Sequence, residues 1–258
     1  FGVIGEVSPS ARAAVFGFNA GINSLLCGTI ALAEKRDVLK DAAKCFIGGS
    51  VQYLGMEIGM YDLPIVPGIG LRMVETGTSM INNTLTGDEI FDRLQYEIGP
   101  LLFEIDTTTA EVDAYWRMLP IAGIIGNLAM QNQLNVPDTL SYQTFTFNNV
   151  KSWKSEGHTL GNIMSYDKNI GTYVRAHEFE HVLQYARFRP ADQLFPGFFR
   201  EELRLRLGED SVVGLLNIPF FLCSAAQQGR CSRRWWNLME AEAYSMETAE
   251  GSLPKSDP

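Results

Sequence analysis

The chain has 258 residues, 46% of them hydrophobic and 20% charged, with a net charge of −9. That is enough length and apolar content for a folded core, and it excludes a disordered chain. The acidic balance, with no dense basic patch, excludes nucleic acid as a partner and argues against electrostatic docking on anionic lipid, though not against hydrophobic insertion.

Residues 13–33 carry no charge. The run is long enough to cross a bilayer as a helix, but Asn19, Asn23, Ser24 and three glycines weaken it as a span. Gly17 and Gly21 form a GxxxG pair, which permits close helix contact. After the polar KRDVLKD, a second apolar run covers Cys45–Met56 and leads into another such pair, Gly55 and Gly59. The two runs predict a helical hairpin, either buried in a soluble protein or lying in or on a membrane. Cys27 and Cys45 sit in these runs and read as buried free thiols. Cys223 and Cys231 flank a short polar loop and can pair in an oxidising compartment.

Residues 62–71 read as Pro/Gly punctuation without helix. A helix over 72–86 stops near Gly87. Leu94–Ile98 and Leu101–Ile105 read as strands either side of Gly99-Pro100. A strand is predicted at Ala114–Pro120, a buried helix at Ala122–Gln133, and strands at Tyr142–Phe147 and Leu160–Tyr166, the last as an edge. Beyond residue 190, an apolar run at Val212–Cys223 and a helix at Arg233–Glu250 complete the expected elements.

Between these lies Thr172–Phe188, a predicted helix with Thr172 as N-cap. It contains His177-Glu178-Phe179-Glu180-His181, an HExxH motif holding two of the chain's three histidines. Residues four apart share a helix face, so His177 and His181 can offer two imidazoles to one ion. Glu178 is placed to take a proton from metal-activated water. Arg175 is expected to pair with a nearby acid. His158, beside Gly157, is a candidate hydrogen-bond donor to the reacting carbonyl, although an exposed loop histidine is the simpler reading.

Two histidines do not complete a catalytic zinc site, which normally has three protein ligands. The run Glu240-Ala241-Glu242-Ala243-Tyr244 resembles the E-x-x-A signature of gluzincin-type zinc peptidases, including the integral-membrane CAAX-processing and heat-shock-type enzymes. In that group a later helix brings a glutamate to the HExxH pair. The resemblance implies Zn2+ held by His177, His181 and Glu240, with Glu242 as the alternative ligand. It covers the C-terminal part only. Tyr244 stands where the signature has an acid and is a further candidate donor.

The expected architecture is α+β: a zincin-like domain over 87–258 with a small mixed or antiparallel sheet, preceded by a Gly-rich apolar helical region over 1–86, either as two regions or as one continuous unit. The expected function is hydrolysis of a peptide or protein substrate, extracytoplasmic and periplasmic or secreted, with membrane association open. The alternative is a non-enzymatic structural or assembly subunit of a larger membrane-associated complex, meeting its partner subunits through the Gly-rich region.

Overall fold

The computed structural model describes residues 9–61, 63–149, 157–167 and 172–189. The expectations for residues 195–250, the Cys223–Cys231 pairing, Glu240, Glu242 and Tyr244 lie outside the described residues.

The described chain is mixed α+β, with six helices and two small sheets. It opens with three long helices, α1 (Pro9–Ala33), α2 (Val38–Gly59) and α3 (Val66–Thr86). Asp37 caps α2 by accepting the Lys40 backbone N–H at 3.0 Å. Gly87, at φ +89°, closes α3 through a left-handed residue that a side chain would disfavour. Helix α3 begins six residues earlier than the Pro/Gly content suggests. Pro67 lies in the first helical turn, where its missing N–H leaves no bond unmade.

Helices α2 and α3 are in backbone contact along their length. A Cβ built on Gly70 would lie 2.3 Å from the Gly59 Cα, and one on Gly77 would lie 2.5 Å from the Gly48 carbonyl oxygen. The expected pair Gly55 and Gly59 is therefore part of a real crossing. Gly17 and Gly21 have nothing within 4 Å. Cys27 and Cys45 form a disulfide joining α1 to α2, which corrects their reading as free thiols. Two buried sulfurs on adjoining helices meet once the hairpin closes, a distance that apolar flanks alone do not report.

Strands β1 (Arg93–Ile98), β2 (Leu101–Asp106) and β3 (Val112–Trp116) form an antiparallel meander packed on α3. The strand predicted at 114–120 ends at Trp116, because Arg117 is already the N-cap of α4 (Met118–Ala129) and Pro120 fits its first turn. Helix α4 is not buried all round: Ile125 and Leu128 are exposed.

The second sheet has the order β4-β5-β7-β6. It comprises β4 (Gln133–Leu134), β5 (Thr146–Asn149), β6 (Gly157–Leu160) and β7 (Ile163–Asp167), with α5 (Val136–Tyr142) between β4 and β5. The strand expected at 142–147 starts only at Thr146. Tyr142 ends α5, and Gln143 turns left-handed with its carbonyl oxygen and side chain held by Arg72, each at 2.9 Å. The strand expected at 160–166 is two strands, folded back at Gly161, whose φ is +64°. The edge strand is β6, and β7 lies inside.

Helix α6 (Thr172–Phe188) covers the expected stretch, with Thr172 already its first helical residue and not the residue before it. One apolar core joins Met56, Leu71 and Val74 of the helical layer to Met164, Tyr166, Phe179 and Leu183, so the regions either side of residue 86 share their interior.

Candidate functional site

His177, Glu178 and His181 of the HExxH motif sit on α6, which is wedged between α3 and the β6–β7 hairpin. Phe179, Val182 and Leu183 are buried and fix the helix by its apolar face. Phe179 packs at 4.8 Å on the Tyr142 ring, and both Phe179 and Leu183 rest over Gly59. This anchoring sets the direction in which the two histidines point.

The imidazoles of His177 and His181 lie side by side, with ring centroids 4.9 Å apart and planes at 90°. Both are partly exposed. His181 Nδ1 is 2.9 Å from Gln184 Oε1. An amide oxygen only accepts, so Nδ1 is the donor, and in the neutral ring Nε2 is then the nitrogen with the lone pair. Gln184 is fully buried and held in place. Sequence reading gave it no role. Its one local signal is its position three residues after His181, on the same helix face.

Glu178 is buried, with its carboxylate against the edge strand. Thr159 Oγ1 donates to Glu178 Oε2 at 2.7 Å and lies 2.9 Å from the Glu178 carbonyl oxygen. Gly157 makes room: a Cβ there would lie 2.6 Å from Glu178 Oε1. Thr159 and Gly157 are thus second contributors that the motif does not announce.

His158 falls between these two residues on β6, so alternation turns it to the other face of the sheet. It lies opposite Ser165 in the ladder, with Ser165 Oγ 2.8 Å from Nε2. Desolvation holds its pKa below the ordinary histidine value. The structure therefore brings His177, Glu178 and His181 together and puts His158 across the sheet from Glu178.

Arg175 pairs with Asp138 of α5 at 3.7 Å, as expected for a cation beside an acid. Glu180 is fully buried. Among the described residues, no group of three or more His, Cys, Asp or Glu side chains is arranged to hold a metal ion. The pair His177 and His181 supplies two nitrogens on one face, and the assigned Glu240 and Tyr244 lie outside the described residues.

No family model, curated protein or solved structure matches this chain. The chemistry of α6 and β6 is therefore read from the residues alone.

Proposed function

We propose that this protein is a zinc-dependent peptidase of gluzincin type, built on a zincin-like version of its α+β fold. The observation that carries the reading is the pair of adjacent imidazoles with the Glu178 carboxylate laid against an edge strand. The donor set suits zinc: two adjacent imidazoles, one of them oriented by Gln184. Glu240 is assigned as third ligand from its resemblance to the gluzincin signature.

Zinc, when bound, supplies a positive centre that acidifies water towards a pKa of about 7 and polarises a carbonyl. Glu178 takes the proton from the attacking water and hands it to the leaving amine. The Thr159 hydroxyl holds one carboxylate oxygen and the other lies against Gly157, so the carboxylate is fixed between β6 and α6. Strand β6 receives an extended peptide by strand addition, which brings the scissile carbonyl alongside Glu178. Tyr244 is assigned as the donor to the carbonyl oxygen, and His158 takes no part. The Cys27–Cys45 disulfide supports an extracytoplasmic location.

His177→Ala is expected to lose bound zinc, measured by metal analysis of the purified chain. Glu178→Gln is expected to keep the zinc and abolish cleavage of a peptide library, a loss of roughly 100-fold or more. Unchanged metal content in His177→Ala sinks the site. Zinc retained with no cleavage by the wild type favours the structural or assembly subunit instead.

Gln184→Ala is expected to weaken zinc affinity roughly 10–100-fold, because the His181 tautomer is no longer fixed. Gln184→Glu keeps an acceptor on Nδ1 and should retain most of the affinity. Equal zinc affinity in Gln184→Ala and wild type, by competition with a chromogenic chelator, counts against this role.

A further inference from the structure

Helices α1 and α2 bury apolar residues such as Ala20, Cys27, Cys45 and Met56 and also present apolar residues outward, unlike helices on a water-facing surface. Such helices turn their apolar stripe inward. Here α1 turns Phe18, Ile22, Leu25 and Leu32 outward, at helical spacing, with Phe18 70% and Leu25 72% exposed. Helix α2 does the same with Leu39, Phe46, Ile47 and Leu54, Leu39 being 82% exposed. The inner faces carry polar contacts. Asn19 Nδ2 donates to the Gly49 carbonyl oxygen at 3.2 Å, Asn23 Nδ2 to Gln52 Oε1 at 3.3 Å, and Gln52 Nε2 to Thr78 Oγ1 at 2.8 Å. The two helices pack on each other, and the rings of Phe16 and Phe46 meet edge-on at 6.0 Å, which joins the two stripes there.

We propose that this α1–α2 face docks into a lipid bilayer, with the two helices lying in the plane at the boundary of headgroups and acyl chains. A second protein surface is the other occupant, and the polar groups of the face argue against it. Protein interfaces carry about one hydrogen bond per 100–200 Å2. The hydroxyls on this face, Thr29 and Ser50, each donate at 2.8 Å to the carbonyl four residues back in their own helix. Their protons are spent inside their own helices, so they can only accept from a partner, and hydrocarbon leaves those internal bonds undisturbed.

The charges agree. Residues 13–33 carry none, and charge gathers at the hairpin turn from Glu34 to Asp37. Lys40 and Lys44, at the border, are both engaged by Glu89 at 2.9 Å. Hydrogen bonds from Lys40 and Lys44 hold the Glu89 carboxyl down to about 2, so the border charges are paired within the protein. Insertion is then apolar and needs no anionic lipid.

Helix α1 is part of the folded unit. It is bonded to α2 by the disulfide, and Ala20 packs on Gly49. Phe16–Ala33 has the length and composition to cross a bilayer, but its inner side is occupied by the polar contacts to α2, and α2 in turn is backed by α3. One-sided exposure fits a helix lying on the membrane.

The test is flotation of the full chain with phosphatidylcholine vesicles, with and without phosphatidylserine, beside the Leu25→Glu/Leu54→Glu variant. Both substituted positions are exposed, so the fold is expected to survive, and circular dichroism verifies it. Wild type should float equally with both vesicle types, and the variant should partition roughly tenfold less or weaker still. Four results overturn the proposal: wild type remaining in the dense fraction, flotation only with phosphatidylserine, equal flotation of the variant, or a vesicle-free dimer that the variant dissociates.

Discussion

Glu75→Ala is expected to cost on the order of 3–5 kcal/mol of unfolding free energy, read from the denaturant midpoint. Glu75 is 1% exposed and lies at the centre of a buried ionic cluster. Its Oε2 accepts from Arg72, and its Oε1 accepts the Glu97 backbone N–H at 2.9 Å and lies 3.4 Å from Arg189 Nη2. Glu97 in turn lies 3.6 Å from Arg189 Nη1 and 3.9 Å from Arg117 Nε, while Arg117 Nη2 donates to the Tyr185 hydroxyl at 3.2 Å. The cluster thus ties α3, β1, the start of α4 and the end of α6 together. Burial pushes the Glu75 carboxyl up, and Arg72 and Arg189 pull it back towards ionisation. Deleting the carboxylate takes from buried Arg189 the nearer of its two acids, leaving Glu97 at 3.6 Å, and leaves the Glu97 backbone N–H without this acceptor. Removing both partners is a different matter. Glu75→Met with Arg189→Met leaves fewer stranded charges, so the double variant should lose less than the sum of the two single losses. A loss under about 1 kcal/mol in Glu75→Ala would show that the cluster is hydrated, contrary to this account.

Local signals made some of this readable in the chain. The Gly99-Pro100 turn, the Gly87 stop and the stretch covered by α6 depend on residues adjacent in sequence, and all three are found in the structure. Features set by pairing were not readable. The run 160–166 looks like one strand until Gly161 turns it, and only the ladder shows that His158 faces Ser165 and not Glu178. Gln184 and Thr159 reach the motif through side-chain contacts that no spacing rule names as specific. The buried cluster was invisible for the same reason: Glu75, Glu97, Arg117 and Arg189 are far apart in the chain and each reads as an ordinary surface charge. The two GxxxG pairs are the sharpest case. Their sequences are equivalent, yet one is a helix crossing and the other faces open space.

That contrast supplies its own experiment. Gly70→Ala is expected to destabilise the protein by about 3 kcal/mol or more, beyond the usual cost of overpacking. The added Cβ would meet the Gly59 Cα and N, both at 2.3 Å, and the Gly55 carbonyl oxygen at 2.5 Å. All three are backbone atoms, so no rotamer change relieves the contact, and α2 must move away from α3. Gly59 is also the floor beneath Leu183 and Phe179, at 3.1 and 3.3 Å from its built Cβ. Displacing α2 therefore loosens the seat of α6, and the zinc binding proposed for His177 and His181 should weaken together with stability. Gly17→Ala is the control. Nothing lies within 4 Å of that position, and alanine favours helix over glycine by up to ~1 kcal/mol, so the change should be neutral or stabilising. Chemical denaturation of both variants decides the matter. Similar midpoints for Gly70→Ala and Gly17→Ala would mean that α2 and α3 do not approach this closely, and that the position of α6 is set by the sheet alone.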